Sequence, residues 1–164
     1  MSEDIKKLSS LERVEEAARE LGLDIVVRRM EQSTRTAEEA ASAAGCHVGQ
    51  IVKSLVFVDA ETNRLVLLLV SGAHNADVAF IAATYGLRLK RADIDRVREE
   101  TGFAIGGVGP IGHQVALPVF LDESLLAHEV VWCAAGRPDS IFSCDPGVLG
   151  EKIAATVIRV RADG

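Results

Sequence analysis

The sequence predicts a single α/β domain built on a mixed β-sheet. The chain has 164 residues, 48% of them hydrophobic, which is sufficient for one good core but short for two. Helical and strand-like segments alternate along it, and the strands are joined both by short turns and by longer crossovers. No repeat, low-complexity tract or linker divides the chain. We therefore expect one domain over residues 1–164, with a mixed rather than a doubly wound sheet.

The first part of the chain predicts a helix, a strand and a second helix. Ser9 and Glu12 have the spacing of a capping box, and apolar residues then recur at helical intervals over residues 10–21. The β-branched cluster within residues 24–30 indicates a strand. A second capping-box spacing begins an alanine-rich helix over residues 36–45.

The middle of the chain predicts a β-hairpin followed by two short helices. Two β-rich runs, residues 51–58 and 65–70, are joined by a polar turn of hairpin length, so we expect them to pair antiparallel. Helices are predicted over residues 78–85 and 94–100, since each follows a capping Asp or Asn and stops at a glycine. Residues 87–90 between them indicate a short strand.

The last third begins with a glycine-rich loop over residues 103–112. Three further strands are predicted at residues 115–121, 130–134 and 140–143. Asp145 can cap a final helix that has proline in its first turn, and we expect this helix to extend to residue 155.

Composition limits where the protein works and what it binds. No apolar run reaches the roughly 20 residues that cross a bilayer, and residues 1–7 lack the apolar core of a signal peptide, so we expect a cytoplasmic protein without membrane contact. The net charge of −6 disfavours a protein that binds DNA or a long stretch of RNA.

The three widely spaced cysteines, Cys46, Cys133 and Cys144, indicate reduced thiols rather than disulfides or a zinc site. We expect no metal and no cofactor.

Lys53 is the most unusual charged residue in the sequence. Strand alternation places it on the same face as Ile51, Leu55 and Phe57, so that an ammonium emerges from an otherwise apolar row. The stem can cover the core while the ammonium reaches water. Alternatively, the ammonium lies at the mouth of a pocket and binds a phosphate or carbonyl oxygen. The sequence leaves both interpretations open.

The glycine-rich loop and two histidines are further candidates. The loop can direct backbone N–H groups at a ligand oxygen, or it can be a tight connection that needs glycine for its backbone angles. The candidate residues in it are Gly106, Gly107, Gly109, Pro110 and Gly112. His74, where a strand gives way to a helix, and His113, at the end of the loop, can act as acid or base or serve as surface or capping residues. No serine has the context of a nucleophile elbow, so a Ser-His-Asp triad is not favoured.

Taken together, these features resemble the YbaK family and the related insertion domain of bacterial prolyl-tRNA synthetases. The matching segments are residues 36–41, 52–55, 71–77, 101–102, 106–112, 117–118 and Asp122. The resemblance covers nearly the whole chain in order. It implies a curved, largely antiparallel, barrel-like sheet flanked by helices. It also implies a deacylase that acts in trans and hydrolyses the ester between a wrong amino acid and the tRNA 3′ end.

The resemblance also implies roles for particular residues. Lys53 matches the family's site lysine, which is thought to orient the substrate while the attacking group comes from the substrate or from water. The glycine loop would donate backbone N–H groups to the ester carbonyl or the terminal adenosine. Ser54, His74 and His113 would contact the substrate, and Asp145 would bind a hydroxyl.

Two positions depart from the family's pattern and bear on the substrate. Many relatives have Ser where this chain has Gly109, and the residue after the lysine varies among relatives and is Ser54 here. Small pockets discriminate one methylene by only about 1 to 3 kcal/mol, so the acyl group can be Cys, Ala, Ser or Thr.

The resemblance implies transient contact with the acceptor end of tRNA, tRNA-Pro being the expected species, and docking on a synthetase is a further hypothesis. One alternative is a binding module of the same fold that does not catalyse turnover. Another is a cysteine-dependent hydrolase or redox protein.

Overall fold

A computed structural model of the protein describes residues 9–104 and 106–162. The helices are α1 Ser10–Leu21, α2 Ala37–Ala44, α3 Val78–Tyr85, α4 Ile94–Thr101 and α5 Pro146–Lys152. The strands are β1 Val27–Arg29, β2 Ile51–Asp59, β3 Leu65–Ser71, β4 Leu89–Arg91, β5 Val119–Asp122, β6 Val131–Ala134, β7 Ser140–Cys144 and β8 Thr156–Ile158. The polar segment of residues 1–7 lies outside the described residues, as does residue 105 of the glycine loop.

The strands form one mixed sheet. Its order is β1-β7-β6-β2-β3-β5-β8, and β4 also pairs with β2. The predicted hairpin of β2 and β3 is antiparallel, with Lys53 opposite Val70. Four of the seven strand pairs are antiparallel and three are parallel. Over the described residues the sheet is mixed and flanked by helices, as predicted, and it ends at β1 and β8 without closing into a barrel.

Local capping decides where the helices begin and end. Both predicted capping boxes are present, one at Ser9 with Glu12 and one at Thr36 with Glu39. The glycines after α1, α2, α3 and α4 all adopt left-handed backbone angles that stop the helix. No helix among the described residues is long and apolar enough to span a membrane.

The structure differs from the prediction in two respects at the end of the chain. The final helix ends at Lys152 rather than at residue 155, because Ala154 takes a positive φ of 53° that turns the chain away from the helix axis. The chain then forms β8, which the sequence analysis did not predict. This short β-branched strand pairs parallel with β5, and that long-range pairing stabilises a segment too short to be identified from its own pattern.

Helices cover both faces of the sheet. The face on which α1, α4 and α5 pack carries Leu67 and Leu69, and we call it the α1 face. The opposite face carries Leu68 under α3 and Ile51 with Trp132 under α2, and we call it the α3 face. Strand alternation places successive β2 side chains on opposite faces, so every residue of β2 has an assigned face.

One edge of β2 is incompletely paired. β6 pairs with residues 51–52 and β4 pairs with residues 57–59. No described strand pairs with residues 53–56 along this edge. We call the opening between β6 and β4 the β2 gap. It exposes the middle of a central strand, which is normally covered on both edges.

We predict that Leu68→Ala lowers the free energy of unfolding by about 2–5 kcal/mol, because Leu68 is fully buried in the central strand β3 and truncation leaves a cavity. Urea unfolding followed by circular dichroism measures the change. Val26→Ala is the matched control, since Val26 is 75% exposed and its truncation should change stability by less than about 0.5 kcal/mol. Equal effects of the two variants would contradict this assignment of the core.

Candidate functional site

A cavity of about 1060 Å³ lies at the β2 gap. Residues from both faces of the sheet line it, since the gap connects the two sides. The walls come from residues 51–57 of β2, the segment that begins α2, the turn after β3, the end of β4, and parts of α4, β6 and the glycine loop. Its size is that of a small-molecule or nucleotide-sized site.

Lys53 lies in this cavity on the α3 face. Its register partner in β3 is Val70, and its neighbours on the same face, Leu55 and Phe57, are apolar. The ammonium donates a hydrogen bond to the backbone carbonyl of His74. Partial burial lowers the pKa of Lys53 below its ordinary value, and the nearby carboxylates of Glu38 and Asp122 oppose this shift. Of the two interpretations of Lys53, the geometry favours an ammonium held within a pocket.

The turn after β3 brings His74 to the site. The His74 N–H donates to the carbonyl of Ser71, which closes the turn. The His74 side chain is only 18% exposed, and its Nδ1 lies 3.2 Å from Ser124 Oγ and 3.5 Å from a carboxylate oxygen of Asp122. Contacts of both the backbone and the side chain therefore fix the position of His74, which is one of the residues that line the cavity.

Ser54 lines the same cavity from the opposite face. Its register partner is Leu69, so its side chain lies on the α1 face. The Oγ atom is buried and has no hydrogen-bond partner among the described residues. In an antiparallel ladder, successive residues of a strand direct their backbone N–H and C=O groups to opposite edges. Ile51 and Asp59 form backbone hydrogen bonds on the β3 edge of β2. Ser54 is an odd number of residues from both, so its backbone groups point to the other edge, at the β2 gap. The residue thus offers polar groups to an otherwise apolar part of the cavity.

Charged side chains at the cavity are mainly cationic. Arg35 from the loop before α2 and Arg91 at the end of β4 line it together with Lys53, and Glu38 in the first turn of α2 is the acidic member. Arg35 and Arg91 are both exposed. In a chain with a net charge of −6, this local balance favours an anionic ligand.

The glycine loop packs mainly against the body of the protein. Gly106 lines the cavity, whereas Gly107, Gly109, Pro110 and Gly112 do not. A Cβ atom on Gly109 would lie 2.9 Å from the carbonyl oxygen of Ala134, so close packing on β6 requires glycine there. Gly112 has a positive φ of 87° and packs against the backbone of α1. The predicted substrate contacts of these four residues remain predictions, and close packing accounts for glycine at positions 107, 109 and 112.

His113 and Asp145 also lie outside the lining of the cavity. His113 Nε2 is 2.8 Å from the Gly109 carbonyl, and the ring packs edge-on against Phe103. Burial is the main cause of the lowered pKa of His113. Asp145 is exposed and caps α5, its Oδ1 accepting hydrogen bonds from Gly147 and Val148. The structure therefore brings together Lys53, Ser54, His74 and Gly106 from the predicted set.

Two of the three cysteines, Cys46 and Cys133, are poorly suited to nucleophilic chemistry. Cys133 is buried, and its pKa is raised well above its ordinary value by interaction with the Cys144 thiol and by burial. Burial also raises the pKa of Cys46. A raised pKa reduces the fraction of reactive thiolate, so the burial of these two thiols disfavours a cysteine-dependent mechanism that uses either of them.

Several lining residues were not among the predicted site residues. Arg35, Arg91 and Trp132 line the cavity, and Asp122 contacts the turn that carries His74. Asp122 had a detectable signal, since it is one of the positions that carry the family resemblance in the sequence. Arg91 and Trp132 had none, because only the arrangement of β4 and β6 around the β2 gap brings them to the cavity.

We predict that Lys53 titrates below 10.5, its ordinary pKa, because burial disfavours the ammonium more than the neighbouring carboxylates favour it. Reductive ¹³C-methylation of the five lysines followed by NMR over a range of pH measures this value. Lys53→Met identifies the Lys53 signal. A pKa at or above 10.5 would contradict the partly desolvated position.

The model of the family described as the aminoacyl-tRNA editing domain matches residues 31–150, a range that contains every residue that lines the cavity. The chain is 33% identical over 125 residues to the uncharacterized protein YwhH of Bacillus subtilis (strain 168), which covers 76% of this chain and 79% of that protein. It is 26% identical over 125 residues to EbsC of Enterococcus faecalis (strain ATCC 700802 / V583), a candidate Cys-tRNA(Pro)/Cys-tRNA(Cys) deacylase, with 71% and 76% of the two chains covered.

Among solved structures, the crystal structure of a candidate trans-editing enzyme for prolyl tRNA synthetase superimposes with a TM-score of 0.86. The two chains are 42% identical, and the match covers 96% of this chain and 99% of that one. Editing of aminoacyl-tRNA is a hydrolysis, so the class of activity predicted from the sequence is confirmed together with the fold. The chain belongs to the aminoacyl-tRNA editing domain family.

Proposed function

We propose that this protein acts in trans, as a single domain over residues 1–164, to hydrolyse the ester that joins a wrong amino acid to the 3′ end of tRNA. The observation that carries this proposal is the Lys53 ammonium in the apolar surroundings of the cavity at the β2 gap. A cation that is partly removed from water interacts strongly with a developing oxyanion. Membership of the editing family supplies the reaction class.

The chemistry requires no covalent intermediate with the protein. A water molecule adds to the ester carbonyl and gives up a proton, and the negative charge that develops on the carbonyl oxygen is stabilised by the Lys53 ammonium. The bond between the carbonyl carbon and the ribose oxygen then breaks, and the ribose hydroxyl takes up a proton. The lining of the cavity agrees with this route, since Ser54 lies on the face opposite Lys53 and the thiol pKa of Cys133 is raised.

The cavity also supports the proposed substrate class. Its apolar walls fit a small amino acid, and one lining residue, Ser54, has a buried hydroxyl without a hydrogen-bond partner among the described residues. Arg35 and Arg91 are cationic side chains at the cavity, and their contact with phosphates of the unpaired acceptor end would give a local and transient hold on tRNA. The names of EbsC and of the similar crystal structure support tRNA-Pro as the tRNA and Cys or a similarly small residue as the acyl group. Gly106 and His74 are the remaining predicted contacts within reach of such a substrate.

We predict that Lys53→Ala lowers the rate of deacylation by about 10²- to 10³-fold, the loss expected for one donor to a developing oxyanion. The assay is single-turnover hydrolysis of a panel of Cys-, Ala-, Ser- and Thr-tRNA-Pro by the wild type and the variant. Lys90→Ala is the matched control, because Lys90 is exposed on β4 and does not line the cavity. Circular dichroism verifies that both variants are folded.

The same assay decides between the enzyme and the binding module. Binding of aminoacyl-tRNA without turnover by the wild type would refute deacylation and support the binding module. Turnover that survives Lys53→Ala would refute the role of the lysine.

We further predict that iodoacetamide treatment leaves the deacylation rate within about twofold of the untreated rate, because the thiol pKa values of Cys46 and Cys133 are raised and thiolate is scarce. Mass spectrometry measures how many thiols react. Loss of activity in proportion to modification of one cysteine would instead support the cysteine-dependent alternative.

Docking on a synthetase would supply selectivity that a small pocket lacks, and the cytoplasm is where such a partner and aminoacyl-tRNA meet. The name of the similar crystal structure refers to prolyl tRNA synthetase and motivates this partner. Full selectivity for mischarged tRNA-Pro by the protein alone would count against a required partner.

A further inference from the structure

Asp122, at the end of β5, is a buried carboxylate that the proposed chemistry does not use. The residue is 2% exposed, in a strand otherwise made of apolar residues. Isolation of a carboxylate from water is costly unless hydrogen bonds compensate for the lost hydration. The hydrogen-bond partners of Asp122 therefore indicate the role of this buried carboxylate.

Both oxygens of Asp122 accept hydrogen bonds from segments that border the site. Oδ2 accepts from the backbone N–H of Ser71, the last residue of β3, at 3.0 Å. Oδ1 accepts from the Ser124 N–H at 2.9 Å and from the Ser124 hydroxyl at 2.8 Å. His74 Nδ1 lies 3.5 Å from Oδ2. One carboxylate thus joins the end of β3, the segment after β5 and the ring of His74.

These contacts also indicate which nitrogen of the neutral His74 ring carries the proton. The Ser124 hydroxyl donates its hydrogen to Asp122, so its oxygen is left to accept one from His74 Nδ1. The neutral His74 ring therefore carries its proton on Nδ1, and Nε2 is left as an acceptor. Ser124 and Asp122 therefore hold the His74 ring through its Nδ1 atom.

The anchored turn in turn holds Lys53. The carbonyl of His74 accepts a hydrogen bond from the Lys53 ammonium, and the turn is closed by the bond from the His74 N–H to Ser71. A chain of contacts therefore runs from Asp122 through the turn at residues 71–74 to the ammonium. The carboxylates of Glu38 and Asp122 are the charges that act on the ammonium, and the charged residues Arg35 and Arg91 line the same cavity.

We propose that Asp122 is the positioning residue of the site, which fixes the turn after β3 and, through the His74 carbonyl, the place and charge of the Lys53 ammonium. This inference rests on the proposed role of Lys53 in deacylation. Asp122 does not itself line the cavity at the β2 gap, so its action is through other residues. Its negative charge also helps to keep Lys53 protonated, in the same direction as the charge of Glu38.

Asp122→Asn tests the proposal, because it removes the negative charge with little change in the shape of the side chain. The amide cannot accept hydrogen bonds on both sides, so the turn loses one anchor, and we expect kcat to fall about 10- to 100-fold with less than about a threefold change in KM. Loss of the negative charge lowers the Lys53 pKa further. The alkaline limb of the profile of kcat/KM against pH should therefore move to lower pH. Asp59→Asn is the matched control at the far end of β2, and its kinetics should equal those of the wild type.

The pKa of Lys53, measured by NMR of the ¹³C-methylated protein, provides a readout that does not depend on turnover. We expect it to be lower in Asp122→Asn than in the wild type and unchanged in Asp59→Asn. If the wild type deacylates no substrate, the proposed function fails while this titration still tests the link between Asp122 and Lys53. An unchanged Lys53 pKa together with an unchanged kcat would overturn the inference.

Ser124→Ala provides the test should Asp122→Asn not fold, as judged by circular dichroism. This milder variant removes one hydrogen bond to Asp122 and the partner of His74 Nδ1, and leaves the bond from Ser71 intact. We expect a fall in kcat of about fivefold with little change in KM, which corresponds to one ordinary hydrogen bond. A kcat equal to that of the wild type would show that the contacts of Asp122 are structural only and would refute the proposal.

Discussion

Incomplete pairing along one edge of β2 is the constraint on which the site depends. A central strand is normally bonded on both edges, and its middle is then inaccessible. Here β6 and β4 each pair with one end of the strand and leave residues 53–56 between them. The β2 gap joins the two faces of the sheet in one cavity and leaves the lysine at its wall. The position of the site is therefore a property of strand order.

The burial of charge near the β2 gap explains why the surrounding turn is so heavily bonded. Lys53 and Asp122 both have reduced contact with water, which is unfavourable for each charge alone. Hydrogen bonds from Ser71 and Ser124 to the carboxylate, and from the ammonium to the His74 carbonyl, compensate for part of this loss. The proposed function gives a reason for polar groups that a core built for stability alone would lack.

The glycine loop shows how one sequence feature can have two interpretations that only packing separates. Its glycines suggested a set of backbone donors, and Gly106 does lie at the cavity. The other glycines fill narrow spaces against α1, β6 and the β6–β7 turn, where an added Cβ atom would lie 2.9 to 3.2 Å from the nearest backbone atom. A glycine needed for close packing and a glycine needed for ligand contact have the same sequence signature, so the sequence could not distinguish them.

By itself the sequence determined the helices with their caps, the β2–β3 hairpin, the face on which Lys53 lies and the family, because these depend on local patterns or on motif order. Tertiary structure decided where α5 stops, the pairing of β8 with β5, the β2 gap, and the contact of Asp122 with Ser71 across 51 residues of sequence. The physical reason is that strand edges and buried charges are satisfied by partners from distant segments. No local period or spacing encodes which segments those are.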